Sequence, residues 1–264
     1  MCARIALVTG CSPGGIGAAL LAELKGLPYV TTLALDVTDR ASIDAAVATV
    51  RRETGGKLDC LVNNSGVASI MPLIEADLDH GKDMFDVNVW GVLACTEAFV
   101  SMIIAAKGIV VNISSISGVL HSPYSGLYGT SKAAIITIGE TLRLVLEPFG
   151  VRVLSVMTGA VSTNIVSKMT TAFQLSENSI YLPATQEIAD RSWGEDFKGG
   201  IPADEYAAKI ALDIKNGTTG KIWRAEQAGI VQFAKRFMPA SIIDSMMRQK
   251  SGLEKLGQES YNSV

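Results

Sequence analysis

The sequence predicts an α/β fold, a doubly wound parallel sheet in a single domain. A substrate lid is expected over about 160–202 and a C-terminal helical extension over about 225–264. Two observations carry this. Short, nearly unbroken apolar runs alternate with segments of helical period, the pattern of βαβ units. The first run ends in a glycine-rich turn that opens directly into a helical pattern, Thr9-Gly10-Cys11-Ser12-Pro13-Gly14-Gly15-Ile16-Gly17. The length of 264 residues suits one large α/β domain.

Candidate strands are Arg4–Thr9, Thr31–Leu35, Leu58–Val62, Ile109–Ser114, Val151–Met157 and Lys221–Trp223. Their β-branched, apolar character fits strands covered on both faces. Candidate helices are Ile16–Leu24, Ala41–Arg52, Gly81–Ala106, Leu127–Leu146, Ala203–Lys215 and Ser241–Arg248. Gly108 and Gly150 stand just before strands, where a helix C-cap is expected. Residues 160–202 break the alternation, and a long irregular insertion in a compact domain reads as a functional lid.

Composition excludes several function classes. With 23 Lys+Arg against 26 Asp+Glu, a net charge of −3 gives no basic footprint for nucleic acid. Two histidines and four scattered cysteines without a CxxC pair leave no zinc constellation, so no metal is expected. The cysteines read as reduced thiols of a cytoplasmic protein. A strand-like start at Ala3 leaves no room for a presequence, and the apolar stretches read as too short for a membrane span. Weak peripheral membrane association is the most that is expected.

In the glycine turn, the backbone bends sharply and lets a pyrophosphate approach the helix N-terminus, where unpaired N–H groups and the dipole favour anions. Strand before and helix after are the context that this Rossmann-type motif requires. A second cluster is Tyr128-Gly129-Thr130-Ser131-Lys132, which puts Tyr128 and Lys132 one turn apart on one helix face. An ammonium beside a phenol favours the phenolate, lowering a pKa of about 10 toward the range useful for proton transfer. Ser115 lies thirteen residues before Tyr128, at the end of a buried strand, where open α/β sheets build ligand sites.

Together these residues resemble the short-chain dehydrogenase/reductase superfamily over nearly the whole chain. The resemblance implies a catalytic set of Asn88, Ser115, Tyr128 and Lys132. In it Asn88, heading Asn88-Val89-Trp90-Gly91, anchors a proton-relay water. It further implies cofactor contacts at Gly10, Ser12, Gly15, Ile16, Asp36, Val37, Asn64, Tyr128, Lys132 and Thr163. Asn63-Asn64-Ser65-Gly66 resembles the family's Asn-Asn-Ala-Gly, and Thr158-Gly159 stands where the family has Pro-Gly. Losing that proline is expected to loosen a turn beside the nicotinamide.

One departure is large. Eighteen residues separate Gly17 from Asp36, and they hold one helix and one strand. The family fits a helix, the second strand, a second helix and the third strand there. An acidic residue about twenty positions past the turn would ordinarily mark NAD. Here Leu35-Asp36-Val37-Thr38, followed by a helix, matches the third strand's end instead. The expectation is a skip of residues between about Leu24 and Leu27, because a genuine deletion would remove the adenosine pocket.

The turn, together with Gly229–Pro239 and Ser251-Gly252-Leu253-Glu254-Lys255-Leu256, is similar to the NADPH-dependent 1-acyldihydroxyacetone-phosphate reductase-like branch. That resemblance implies NADP(H) and reduction of a carbonyl on an apolar, lipid-like or specialised-metabolite molecule. Gln232, Lys235, Arg236, Arg248, Gln249 and Lys250 interrupt the tail and favour a soluble ketoreductase. Alternatives are a same-fold enzyme performing cyclisation or isomerisation, and a non-catalytic dinucleotide-binding protein. His121 and His80 read as surface and helix-start residues, and Cys95 as core filling. Met169, Phe173, Trp193 and Phe197 are candidate lid residues. The long apolar helices Gly81–Ala106 and Leu127–Leu146 predict a homodimer or homotetramer.

Overall fold

Alternate residues of a strand face opposite sides of a sheet, and these strands are apolar at both parities. The computed structural model, which describes residues 5–24, 31–163, 174–192 and 199–257, shows where the two sets go. β1 (Ala6–Val8), β2 (Cys60–Asn63), β3 (Ile109–Ile113), β4 (Arg152–Thr158) and β7 (Gly220–Arg224) form one parallel sheet in the order β1-β2-β3-β4-β7. Val62, Val111 and Val156 meet Leu20 of α1 (Ile16–Glu23) and Tyr206 and Ile210 of α7 (Ala203–Lys215). Leu61, Val110 and Val153 face the other way, against Val50 of α2 (Arg40–Thr54), Phe99 and Ile103 of α4 (Gly91–Ala106) and Leu146 of α5 (Gly126–Leu146). Helices thus cover both faces, as the doubly apolar strands require. A two-stranded parallel pair, β5 (Val161–Ser162) and β6 (Ile201–Pro202), lies beyond the sheet.

Three expectations are corrected. Thr31–Leu35 is not a strand: residues 31–36 carry no strand structure, and Leu33 and Leu35 pack beside Ile5 and Leu7. The physical reason is a missing neighbour. Among the described residues β1 pairs with β2 alone, so a third strand has no second strand to ladder with. The skip expected near Leu24–Leu27 touches residues 25–30, which lie outside the described residues, while the sequence runs through that interval unbroken.

Second, the helix expected over Gly81–Ala106 is three pieces. α3 (Leu78–Phe85) is capped by Asp77, whose carboxylate accepts from the N–H of Asp79 and His80. A π turn, Asp86–Trp90, then leads into α4. Such bulges recur at functional sites, and this one holds Asn88. The stretch Leu78–Ala106 is long and apolar enough to cross a membrane, contrary to the reading of short apolar runs. It serves as the core helix, with Met84, Val89, Phe99, Met102 and Ile103 buried.

Third, the C-terminal extension contains two helices, α8 (Ala228–Phe237) and α9 (Ala240–Arg248). α8 carries an apolar face wider than the core covers. Ala228, Val231 and Ala234 are buried, while Ile230, Phe233 and Phe237 face solvent. The region expected to form a lid contributes α6 (Thr185–Ser192), while the candidate lid residues Met169, Phe173, Trp193 and Phe197 lie outside the described residues.

Phe99 is fully buried where α4 meets the sheet. Phe99→Ala is expected to lower unfolding free energy by about 3–5 kcal/mol, read as a reduced denaturant midpoint at unchanged m-value.

Candidate active site

The site forms where β1, β2, β3 and β4 end. After β1, Gly10 takes φ +70°, and a Cβ there would lie 2.8 Å from the Ser65 Cα. Gly17, in the first turn of α1, leaves even less room: a Cβ would lie 2.6 Å from both the Asn64 Nδ2 and the Gly10 carbonyl oxygen. Both glycines are required by close approach. The Asn64 amide donates to the carbonyls of Thr9 at 2.9 Å and Gly10 at 3.0 Å. The Thr9 hydroxyl oxygen accepts the N–H of Asn64 and of Ser65, both at 3.0 Å. α1 begins at Gly15 with no side-chain cap and no acidic residue in its first turn, so its N–H groups are left for an anion.

At the other end, Ser115 closes β3 and α5 carries Tyr128 and Lys132. The Ser115 Oγ accepts the N–H of Ser117 at 3.1 Å, and its hydroxyl lies near enough to the Tyr128 phenol to lower its pKa. The Lys132 Nζ lies 5.7 Å from the Tyr128 ring centroid and donates to the Ile113 carbonyl at 3.1 Å. Burial pushes the ammonium down to about 8. Burial also raises the Tyr128 phenol, with the neighbouring Ser115 hydroxyl acting against it. The sequence expectation that Lys132 lowers the phenol is therefore not what dominates in this geometry, because desolvation penalises the phenolate more.

One cavity of about 450 Å³ runs between these ends. Its wall includes Gly10, Ser12, Gly15, Ile16, Asp36, Val37, Asn64, Ser115, Tyr128, Lys132 and Thr163, which are the sequence-selected residues with one exception. Asn88 stands behind the wall. Its Oδ1 accepts the Val67 N–H at 2.9 Å, and its Nδ2 donates to the Val67 carbonyl at 2.8 Å and the Ser131 hydroxyl at 3.0 Å. It holds the loop after β2, and only Gly66 separates it from Lys132. A Cβ on Gly66 would lie 3.3 Å from Asn88 Oδ1 and 3.5 Å from Lys132 Nζ.

Asp36 ends in a tight turn, its Oδ1 accepting the N–H and hydroxyl of Thr38 at 2.9 and 2.7 Å. These bonds hold its carboxyl below the usual range. The short connection to α1 thus still brings Leu35, Asp36 and Val37 to the cavity opposite the glycine turn. Sequence reasoning missed Val67, Val87 and Val161 as wall residues, since an apolar residue carries no chemical signature. His121 is exposed, as expected of a loop histidine, and no metal-binding group of side chains occurs among the described residues.

Comparison with known proteins identifies the family. The family model for short chain dehydrogenase matches residues 17–173. The chain belongs to the short-chain dehydrogenase family. A short-chain dehydrogenase of Penicillium ochrochloron is 37% identical, covering 95% of this chain and 98% of its own. That alignment spans 270 positions, more than the 264 residues available here, so the relative carries positions that this short-chain dehydrogenase lacks. An NADPH-dependent 1-acyldihydroxyacetone phosphate reductase of Schizosaccharomyces pombe is 38% identical, covering 71% of each chain. Among solved structures, a short-chain dehydrogenase from Streptomyces avermitilis superposes with a TM-score of 0.75 at 26% identity, covering 96% of this chain and 98% of that one. Family membership makes this chain an oxidoreductase acting on CH–OH or C=O groups with a nicotinamide dinucleotide.

The Lys132 ammonium yields a pH prediction. Its folded pKa of about 8 lies below the ordinary lysine value of 10.5. Between these values the unfolded chain holds a proton that the folded chain has shed, so stability rises with pH through this window. Relative to Lys132→Met, the wild type is expected to gain about 2 kcal/mol between pH 8 and pH 10. Denaturant unfolding of both proteins at each pH checks it.

Proposed function

We propose that this short-chain dehydrogenase is an NADP(H)-dependent carbonyl reductase, converting a ketone on an apolar lipid-like or specialised-metabolite molecule into an alcohol. The observation that carries the reading is the gathering of Ser115, Tyr128 and Lys132 on the wall of the cavity whose far end is the glycine turn, with the Lys132 Nζ 5.7 Å from the Tyr128 ring centroid. The residues fit a dinucleotide. The uncapped α1 start suits the pyrophosphate, Asp36 and Val37 suit the adenosine, and Lys132 and Thr163 suit the nicotinamide riboside. The NADPH-dependent relative and a 21% identical Burkholderia cenocepacia short-chain dehydrogenase solved with NADP support the choice of NADP(H), although an NAD+-bound xylitol dehydrogenase shares the fold.

Bound NADPH would supply the hydride. The protein's part is proton management. The Ser115 Oγ accepts from Ser117, which holds the hydroxyl on the cavity wall, where its O–H is available to donate to a substrate oxygen. Burial keeps the Tyr128 phenol protonated at neutral pH, the state needed to donate a proton to the incipient alkoxide. Lys132, charged below about pH 8, then stabilises the phenolate left behind. Asn88 fixes the Val67 loop and, across Gly66, faces the Lys132 Nζ. That arrangement supports a relay water that returns the proton.

The free thiols at Cys11, Cys60 and Cys95 support a cytoplasmic setting. The solvent-facing stripe Ile230, Phe233 and Phe237 beside Lys235 and Arg236 supports no more than weak peripheral membrane contact. Of the apolar residues that suggested assembly, Val92, Phe99, Ile103 and Ile135 are used by the chain's own core. Trp90, Leu93, Leu144 and Val145 remain exposed on the same helices and support a homodimer or homotetramer.

Tyr128→Phe is expected to lose about 10²–10⁴-fold in NADPH-dependent ketone reduction while binding NADPH as the wild type does. Near-normal turnover across a ketone panel would overturn the reading. Light scattering at micromolar concentration is expected to give a dimer or tetramer mass, reduced toward the monomer in a Leu144→Asp/Val145→Asp variant.

A further inference from the structure

Thr158 stands where the family resemblance calls for proline, and proline has no polar group to offer. In this chain the residue is 7% exposed at the end of β4 and lines the cavity beside Ser115 and Tyr128. Its Oγ1 lies 2.6 Å from the hydroxyl of Tyr206 on α7. The Tyr206 phenol is fully buried, and Thr158 is the one hydrogen-bond partner of that hydroxyl among the described residues. A buried donor left without an acceptor is costly, so Tyr206 donates and the Thr158 Oγ1 accepts.

That assignment leaves the Thr158 proton to be placed. Its nearest protein acceptor is the Val156 carbonyl at 3.5 Å, the outer limit of a hydrogen bond. The same carbonyl already takes the Ser114 N–H at 2.9 Å. Thr158 is also held from the neighbouring strand. It is paired in register with Arg224, whose guanidinium grips Asp213 of α7 at 2.8 and 2.7 Å, and Asp213 lies two helical turns beyond Tyr206. One helix therefore secures the ends of both strands, and the turn that loses proline's restraint gains this one.

We propose that Thr158, oriented by Tyr206, is a hydrogen-bond donor to the carboxamide oxygen of the bound nicotinamide. The carboxamide is chosen because hydride transfer places the nicotinamide ring beside Tyr128, and Thr158 shares that end of the cavity with Thr163. The inference rests on the dinucleotide-binding part of the proposed function and not on which ketone is reduced.

The test is binding alone, by calorimetry on the full chain, with NADPH and with 2′-phospho-ADP-ribose, which lacks the nicotinamide. Thr158→Val is expected to weaken NADPH by about three- to tenfold and leave the fragment unchanged, while Thr158→Ser binds both as the wild type does. Tyr206→Phe is expected to weaken NADPH selectively, and adding it to Thr158→Val to weaken NADPH no further. Thr158→Ala removes the same hydroxyl without a branched side chain and serves if the valine variant does not fold. Unchanged NADPH affinity in the hydroxyl-less variants overturns the proposal. So does an equal loss for NADPH and fragment, which would mark a general distortion of the cavity. If the wild type binds neither ligand, the dinucleotide reading itself has failed, and this inference falls with it.

Discussion

Among the described residues β1 is held on one side, by β2 alone. Everything at the glycine turn depends on how the ends of these two strands are joined. Four hydrogen bonds do this: two into the Thr9 hydroxyl oxygen from the N–H of Asn64 and Ser65, and two from the Asn64 amide to the carbonyls of Thr9 and Gly10. The turn tolerates no Cβ at Gly10 or Gly17 because Asn64 and Ser65 sit against it. Thus Asn64, a residue expected to touch cofactor, also builds the glycine turn that lines the cavity, as happens when a site is preorganised rather than assembled by its ligand.

The same economy runs along the next register position. Asn63 of β2 donates to the Asn112 Oδ1 of β3 at 2.9 Å and to the Thr96 hydroxyl of α4 at 3.1 Å, all three buried. Asn112 is in turn paired in register with Ser155. A Cβ on Gly139 of α5 would lie 2.3 Å from the Ser155 Oγ, so only glycine lets α5 approach this row. That approach is what sets Lys132 over the Ile113 carbonyl. An ammonium buried there is costly by itself, and its lowered pKa of about 8 expresses that cost. The charge survives at neutral pH because a strand carbonyl and a phenol ring face it.

Shortening the connection between α1 and Asp36 did not dismantle the cavity. Leu35, Asp36 and Val37 still face the glycine turn across it, because α2 fixes them independently. The Asp36 N–H donates to the Ser42 hydroxyl at 2.9 Å, and Asp39 caps the helix. Val37 is pressed onto Gly91, where a Cβ would come within 2.8 Å of its Cγ2. This wall of the cavity therefore belongs to α2 and α4 rather than to a strand, which is why it persists when residues 31–36 carry no ladder.

The sequence by itself determined the parallel α/β architecture, the glycine turn and the Ser115–Tyr128–Lys132 set. All of these follow from local pattern: apolar runs read as strands, and a four-residue spacing reads as one helix face. It did not determine that residues 31–36 would stay out of the sheet, since a strand exists only with a partner and the partner is a matter of distant chain. The same holds for Asn88, legible as a site residue from its motif but placed behind the wall by the π turn and the Val67 loop. Thr158 was visible only as a departure from pattern. Its restraint comes from Tyr206, 48 residues away on a helix that crosses the opposite side of the strand end, and a hydrogen bond over that separation leaves no periodicity in the chain. Tertiary structure alone decided the Lys132 and Tyr128 proton affinities, because burial is a property of the packed neighbours and not of the residue.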